Sequence, residues 1–88
     1  MKTITKFALL NTAEQHINMP ADMFPLSIQI EESYGYSTPY LHVLGDTLGQ
    51  WRDYKITAYK IDDNVPHSPG HFLGTLIVSG VILHFFKE

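Results

Sequence analysis

Leu26-Ser27-Ile28-Gln29-Ile30-Glu31 alternates apolar and polar side chains without a fault. That is the period-2 signature of a strand with one face on a core and the other in water, and it sets the fold class to β. Beyond it, Glu32 to Thr38 reads as a turn rich in Ser, Tyr and Gly, and Tyr40 to Leu44 as the next strand. Arg52 to Ile61 follows, with Tyr54, Ile56 and Ala58 on one face and Lys55, Thr57 and Tyr59 on the other. Asp62 to Gly70 holds two Pro, a Gly, an Asn and two Asp, so it is a connector. Phe72 to Val78 and Val81 to Phe86 make a hairpin turning at Ser79 and Gly80.

Toward the N-terminus, Pro20 and Pro25 fence Ala21 to Phe24 into at most one helical turn. Gln15 to Met19 is a strand that Pro20 ends, since proline has no N–H for a ladder. Across Asn11, Thr12 and Ala13 it is expected to pair as a hairpin with Ile4 to Leu10. The expectation is a single all-β domain over residues 1–88, a small sandwich or curled sheet of about six to seven short strands. The connections are too short for parallel crossovers, so the pairing is mainly antiparallel.

Eighty-eight residues with 44% apolar side chains and 11 aromatics leave no room for a second domain and too much to bury for disorder. So small a core offsets the entropy of ordering only narrowly, which favours self-association. The last hairpin is where the surplus lies. Phe72, Leu73, Leu76, Ile77, Val78, Val81, Ile82, Leu83, Phe85 and Phe86 put apolar groups on both faces. Such a strand is either central between two layers or buried against a second chain.

Six Lys plus Arg against nine Asp plus Glu give a net charge of −3 and no basic run, so nucleic acid is not expected as the main partner. The absence of Cys excludes disulfides, thiolate metal sites and a thiol nucleophile, and suits the cytoplasm. Phe7 to Leu10 is shorter than the ~7 to 15 residues of a signal-peptide core. Gly74, Ser79, Gly80 and His84 interrupt the C-terminal apolar stretch before the ~18 residues of a membrane span.

Five His invite a metal reading, and His67 and His71 have a ligand-like separation. That spacing places two ligands together on a helix, which Pro69 and Gly70 forbid, and no third ligand has a defined relation to the pair. His42 lies mid-strand, His16 on the solvent side of its strand, and His84 opposite Leu83 and Phe85. Glu31 and Glu32 are neighbours on a strand and point to opposite faces, so they make no acid–base pair. Asp62 and Asp63 suit a turn cap. There is no Gly-x-Ser-x-Gly elbow and no phosphate-cradling Gly loop. Neither an enzyme, a catalytic residue, a cofactor nor a metal is expected.

Aromatic residues carry the remaining hint. Tyr34, Tyr36 and Tyr40 crowd around Gly35 and Pro39, and Trp51 opens a strand. Tyr and Trp in loops supply rigid contact area that binding surfaces favour. Glu31, Glu32, Asp46 and Asp53 would add charge complementarity to a basic partner.

Several fragments together resemble a family of small phage- or prophage-encoded proteins known only as a domain of unknown function. They are Met19-Pro20 followed by Leu26 to Gln29, Leu41 to Leu44, and the strand of Arg52, Tyr54 and Ile56. The resemblance ends on Leu73-Gly74-Thr75 and on Val81, Leu83, His84, Phe85 and Phe86. It covers the chain from about residue 17 onward. His42 stands where that family usually carries Trp, and Ala58 to Ile61 where it carries Gly-Thr-Gly-His. The resemblance implies a phage-type origin and a compact β fold, and no mechanism.

The leading expectation is therefore a non-enzymatic binding protein of the host cytoplasm that occludes a host defence or regulatory protein. Its interface would draw on Tyr34, Tyr36, Tyr40, Trp51, Glu31, Glu32 and Phe86. One alternative is an oligomeric sponge for a small nucleotide signal, built from Arg52, Lys55, Tyr59 and His42. Another is a virion component. A homo-oligomer is expected, and a membrane partner is not.

Overall fold

The computed structural model describes residues 1–88 and folds them into seven strands, whose period-2 alternation is interrupted by register shifts between Pro25 and Ser27, which turns Leu26 out to 46% exposure against the alternating pattern, and between Phe72 and Gly74. The strands are β1 (Thr3–Ala8), β2 (Glu14–Pro20), β3 (Phe24–Ser33), β4 (Tyr36–Gly45), β5 (Trp51–Tyr59), β6 (His71–Val78) and β7 (Val81–Lys87). Every pairing is antiparallel. A three-stranded sheet in the order β1-β4-β3 lies over a four-stranded sheet in the order β2-β5-β7-β6. With a Cα thickness of only 17 Å against 40 and 39 Å in the other directions, the architecture is a two-layer sandwich and not a single curled sheet. No helix is long and apolar enough to cross a membrane.

Inward residues of both sheets make the core. On β4, Pro39, Leu41 and Val43 are buried while Tyr40, His42 and Leu44 alternate outward. On β5, Tyr54, Ile56 and Ala58 point in while Lys55, Thr57 and Tyr59 point out, as the pattern predicts. Met19, Leu41, Val43, Ile56 and Phe85 are fully covered. Pro39 sits in a middle strand, a position proline normally avoids. Its carbonyl accepts the Leu9 N–H at 2.8 Å, one step beyond the last β1–β4 pair, Ala8 with Tyr40. Its missing N–H therefore falls where the ladder has already ended.

The expected hairpin between Ile4–Leu10 and Gln15–Met19 does not form. β1 pairs with β4 in one sheet and β2 with β5 in the other. The Gln15 side chain replaces the ladder: its Nε2 donates to the Leu10 carbonyl and its Oε1 accepts the Leu10 N–H, both at 2.8 Å. Ala13 meanwhile gives its carbonyl to the Ala58 N–H at 2.9 Å, which draws β2 onto β5. The connection thus crosses between layers.

Three segments also differ in extent, the first being the strand expected over Arg52 to Ile61, which runs from Trp51 to Tyr59 and leaves Ile61 in a turn. Glu32 to Thr38 is not a long turn, because β3 runs to Ser33 and β4 starts at Tyr36. Tyr34 and Gly35, at φ 50° and 80°, make a two-residue turn with both residues left-handed, which matches the right-handed twist of the strands. Ala21 to Phe24 is a hydrogen-bonded turn, with the Met23 N–H on the Pro20 carbonyl, and Phe24 already opens β3. The β6–β7 turn does fall at Ser79 and Gly80, at φ 51° and 80°. Asp62 to Gly70 carries no regular structure.

Candidate functional site

The outer face of the three-stranded sheet is organised by the middle strand. Across β4, Lys6 from β1 reaches Glu31 from β3, with Nζ 2.7 and 2.9 Å from the two carboxylate oxygens. The hydrogen bond to Glu31, with its charge, holds the Lys6 ammonium above the usual 10.5. Lys6 also lies 4.5 Å over the Tyr40 ring. His42 sits between the two strands in register with Lys6 and Ser27. Its Nε2 is buried, lacks a hydrogen-bond partner, and stands 4.0 Å from Glu31. Glu31 and Tyr40 thus form part of one knit surface, a role no single sequence window shows.

Trp51 also has a structural occupation. Its Nε1 donates to the Thr47 carbonyl at 3.1 Å, and its ring meets Phe7 edge-on at 5.9 Å between centroids. Phe86 stands on the outer face of the other sheet, half-buried between Tyr59 and Phe72 with ring centroids 5.6 and 5.3 Å away. Neither lies beside the Tyr34 turn.

Tyr34 and Tyr36 are different. Tyr34 is 97% exposed and Tyr36 76% exposed at the tip of the β3–β4 hairpin, and neither side chain has a hydrogen bond or ring contact. Glu32, on the same tip, is exposed and has no ion-pair partner. Tyr34 occupies a left-handed turn position that suits Asn or Gly, and a bulky residue there costs energy. Nothing in the fold recompenses that cost.

The expected acidic surface is not one surface. Glu31 is tied to Lys6, and Asp53 accepts from His16 Nδ1 at 2.8 Å on the other sheet. Asp46 binds the Leu48 N–H at 3.1 Å and shapes the β4–β5 turn. The four residues of the nucleotide alternative also stand apart. His42 belongs to the three-stranded sheet, while Lys55 and Tyr59 face outward from the other. Lys55 is held by Glu14 at 2.9 Å and by Glu88 at 3.6 Å. The Glu14 hydrogen bond and charge push the Lys55 ammonium up, and the same contact pulls the Glu14 carboxyl down. Arg52 is exposed with no carboxylate in ion-pair range.

No three His, Asp or Glu side chains converge so as to hold a metal ion. A concavity of about 250 Å³ opens at one end of the sandwich, floored by Ala58, Val78, Val81 and Leu83 and rimmed by Lys60 and Asp63. Asp63 spends its Oδ2 on the Lys60 N–H at 2.8 Å, the turn cap that the Asp pair suggests.

The DUF7352 family, a domain of unknown function, matches residues 1–88. The chain belongs to this family. No curated protein and no solved structure matches it. In this DUF7352 member the β3–β4 tip carries Glu32, Tyr34 and Tyr36 exposed and without side-chain partners. The sequence pointed to Tyr34 and Tyr36 by residue type and turn position, but it missed Lys6, whose ion pair spans three strands.

Proposed function

We propose that this chain is a non-enzymatic protein-binding module whose β3–β4 hairpin tip docks on a basic patch of a host protein and occludes it. The observation that carries this reading is Tyr34, 97% exposed in a left-handed turn position where the fold itself would prefer Asn or Gly. Tyr36 and the unpaired Glu32 stand beside it. A hairpin tip carrying two rings and a carboxylate offers contact area from side chains with few rotatable bonds. The phage-type resemblance of the sequence supports reading that host protein as a defence or regulatory one.

Affinity capture with wild-type chain and with a Tyr34→Asn, Tyr36→Thr variant tests it. Asn suits φ 50° and Thr suits a strand, so the variant keeps the fold. The expected result is one stoichiometric partner that wild type retains and the variant loses. No such partner, or equal retention by both chains, counts against the proposal.

A further inference from the structure

We propose that the outer face of the β6–β7 hairpin is the contact between two copies of this chain, packed face to face about a two-fold axis. Its ladder pairs are Phe72 with Phe86, Thr75 with His84 and Ile77 with Ile82. Thr57 and Tyr59 of β5 continue the rungs of Phe86 and His84. Phe72, Ile77 and Ile82 are 53%, 62% and 49% exposed. Phe72, Phe86 and Tyr59 form a continuous row of rings. His84 spends its Nδ1 on the Thr75 hydroxyl at 2.8 Å. No Asp, Glu, Lys or Arg occupies these rungs on β6 and β7.

Two observations select a second copy as the occupant. The first is charge. A two-fold contact sets one patch against itself, so the patch must be complementary to itself, and the β6–β7 rungs, which carry no charge and meet Glu14 and the Lys60–Asp63 turn only at their margins, meet that condition with apolar contacts alone. The outer face of the other sheet is less suited, because an ion pair there would have to give up its water. There Ile4, Leu44 and Phe24 make one apolar rung, but the next carries Lys6 and His42 beneath the Lys6–Glu31 pair. The second observation is area. A folded chain of 10.0 kDa is expected to expose about 5,200 Å², and this one exposes 5886 Å², roughly 650 Å² more. The excess belongs to the whole flat chain, and Phe72, Ile77 and Ile82, each about half exposed or more, contribute to the ~800 Å² per partner that a standard stable interface takes. Only 15 of 88 residues are buried, so the shallow core gains most from a partner that is always present.

The hairpin tip of Tyr34 stands on the opposite sheet, so this inference is independent of the proposed function. Sedimentation velocity of the full chain at about 100 µM tests it, with melting temperature followed against concentration. Wild type is expected to be a dimer whose melting temperature rises with concentration. Ile77→Lys and Ile82→Glu, made separately, are each expected to weaken association by roughly 100-fold or more while keeping the β-sheet circular dichroism, since both positions are exposed in the single chain. Ile4→Lys, on the other outer face, is expected to leave the dimer intact. A wild-type monomer, an assembly that survives Ile82→Glu, or one broken by Ile4→Lys overturns the proposal. Isotope-filtered NOEs in wild type decide it if a charged variant unfolds: intermolecular contacts at Ile77 and Ile82 support it, and contacts at Ile4 and Phe24 overturn it.

Discussion

The α-carbon of Gly70 lies against the carbonyl of Lys87, so closely that a Cβ on Gly70 would overlap that oxygen. Gly70 has φ 102°, a conformation that other residues rarely adopt. The contact seats the end of the long connector on the end of β7. Backbone cannot move aside as a flexible side chain can. Gly70→Ala is expected to destabilise the domain by about 2 kcal/mol or more. Urea unfolding checks this, and a variant within about 0.5 kcal/mol of wild type would show that the connector is not seated there.

Phe85 is fully covered on β7, between the sheets. Phe85→Ala should cost on the order of 3 to 5 kcal/mol and leave little folded chain at this size. Its neighbour Phe86 is half-buried on the outer face, so Phe86→Ala should cost clearly less in the single chain. Equal losses would mean the two faces of the hairpin are covered alike.

Gln15 satisfies both backbone groups of Leu10 at the crossing between layers. Gln15→Glu keeps the size but removes the amide donor and sets a carboxylate beside the Leu10 carbonyl. The expected loss is about 1 to 3 kcal/mol, from leaving part-buried polar groups unpaired. A neutral outcome in thermal unfolding would mean that water replaces the amide.

At the tip, Tyr34→Asn is expected to raise stability by about 0.5 to 1 kcal/mol, because Asn accepts a positive φ that Tyr resists. Loss of binding with gain of stability would separate a contact residue from a structural one. A drop in melting temperature would show that the Tyr34 ring supports the fold.

The Glu14–Lys55 pair links stability to pH at both extremes. The Glu14 carboxyl titrates below its usual 4.5 when folded, so its contribution is present above that value and lost as the pH falls through the lower folded value. The Lys55 ammonium titrates above 10.5, so its share is present below that value and lost as the pH rises through the higher folded one. Both side chains are solvent-exposed, so the effect is small and screened by salt. Glu14→Gln should flatten the acid limb of stability against pH at low ionic strength. An unchanged acid limb would assign it to other carboxylates.

The Ser79-Gly80 turn was legible because it is local and needs only its own residues to show what it is, whereas the alternation of Leu26 to Glu31 sets Ile28 and Ile30 against the core but misses the bulge that leaves Leu26 exposed. The Tyr34 turn was legible as a turn, though two residues long and not seven, because Ser, Glu and Thr carry no mark of where pairing stops. The crossing at Leu10 was not legible. A glutamine side chain standing in for a strand ladder has no pattern that separates it from an ordinary strand residue.

By itself the sequence determined an antiparallel β domain, the inward and outward faces of its strands away from the bulge at Leu26, and a last hairpin apolar on both sides. Alternation settles those points because successive side chains on a strand take opposite faces whatever lies beside them. Only the tertiary structure decided which strand lies beside which. It sent β1 and β2 to different sheets, joined Lys6 to Glu31 across β4, and left one face of Phe72 to Phe86 open. A period of two names a face and says nothing of a neighbour. Neighbours are chosen by the fit of both inner faces around Met19, Leu41, Val43, Ile56 and Phe85, a condition on the whole chain at once.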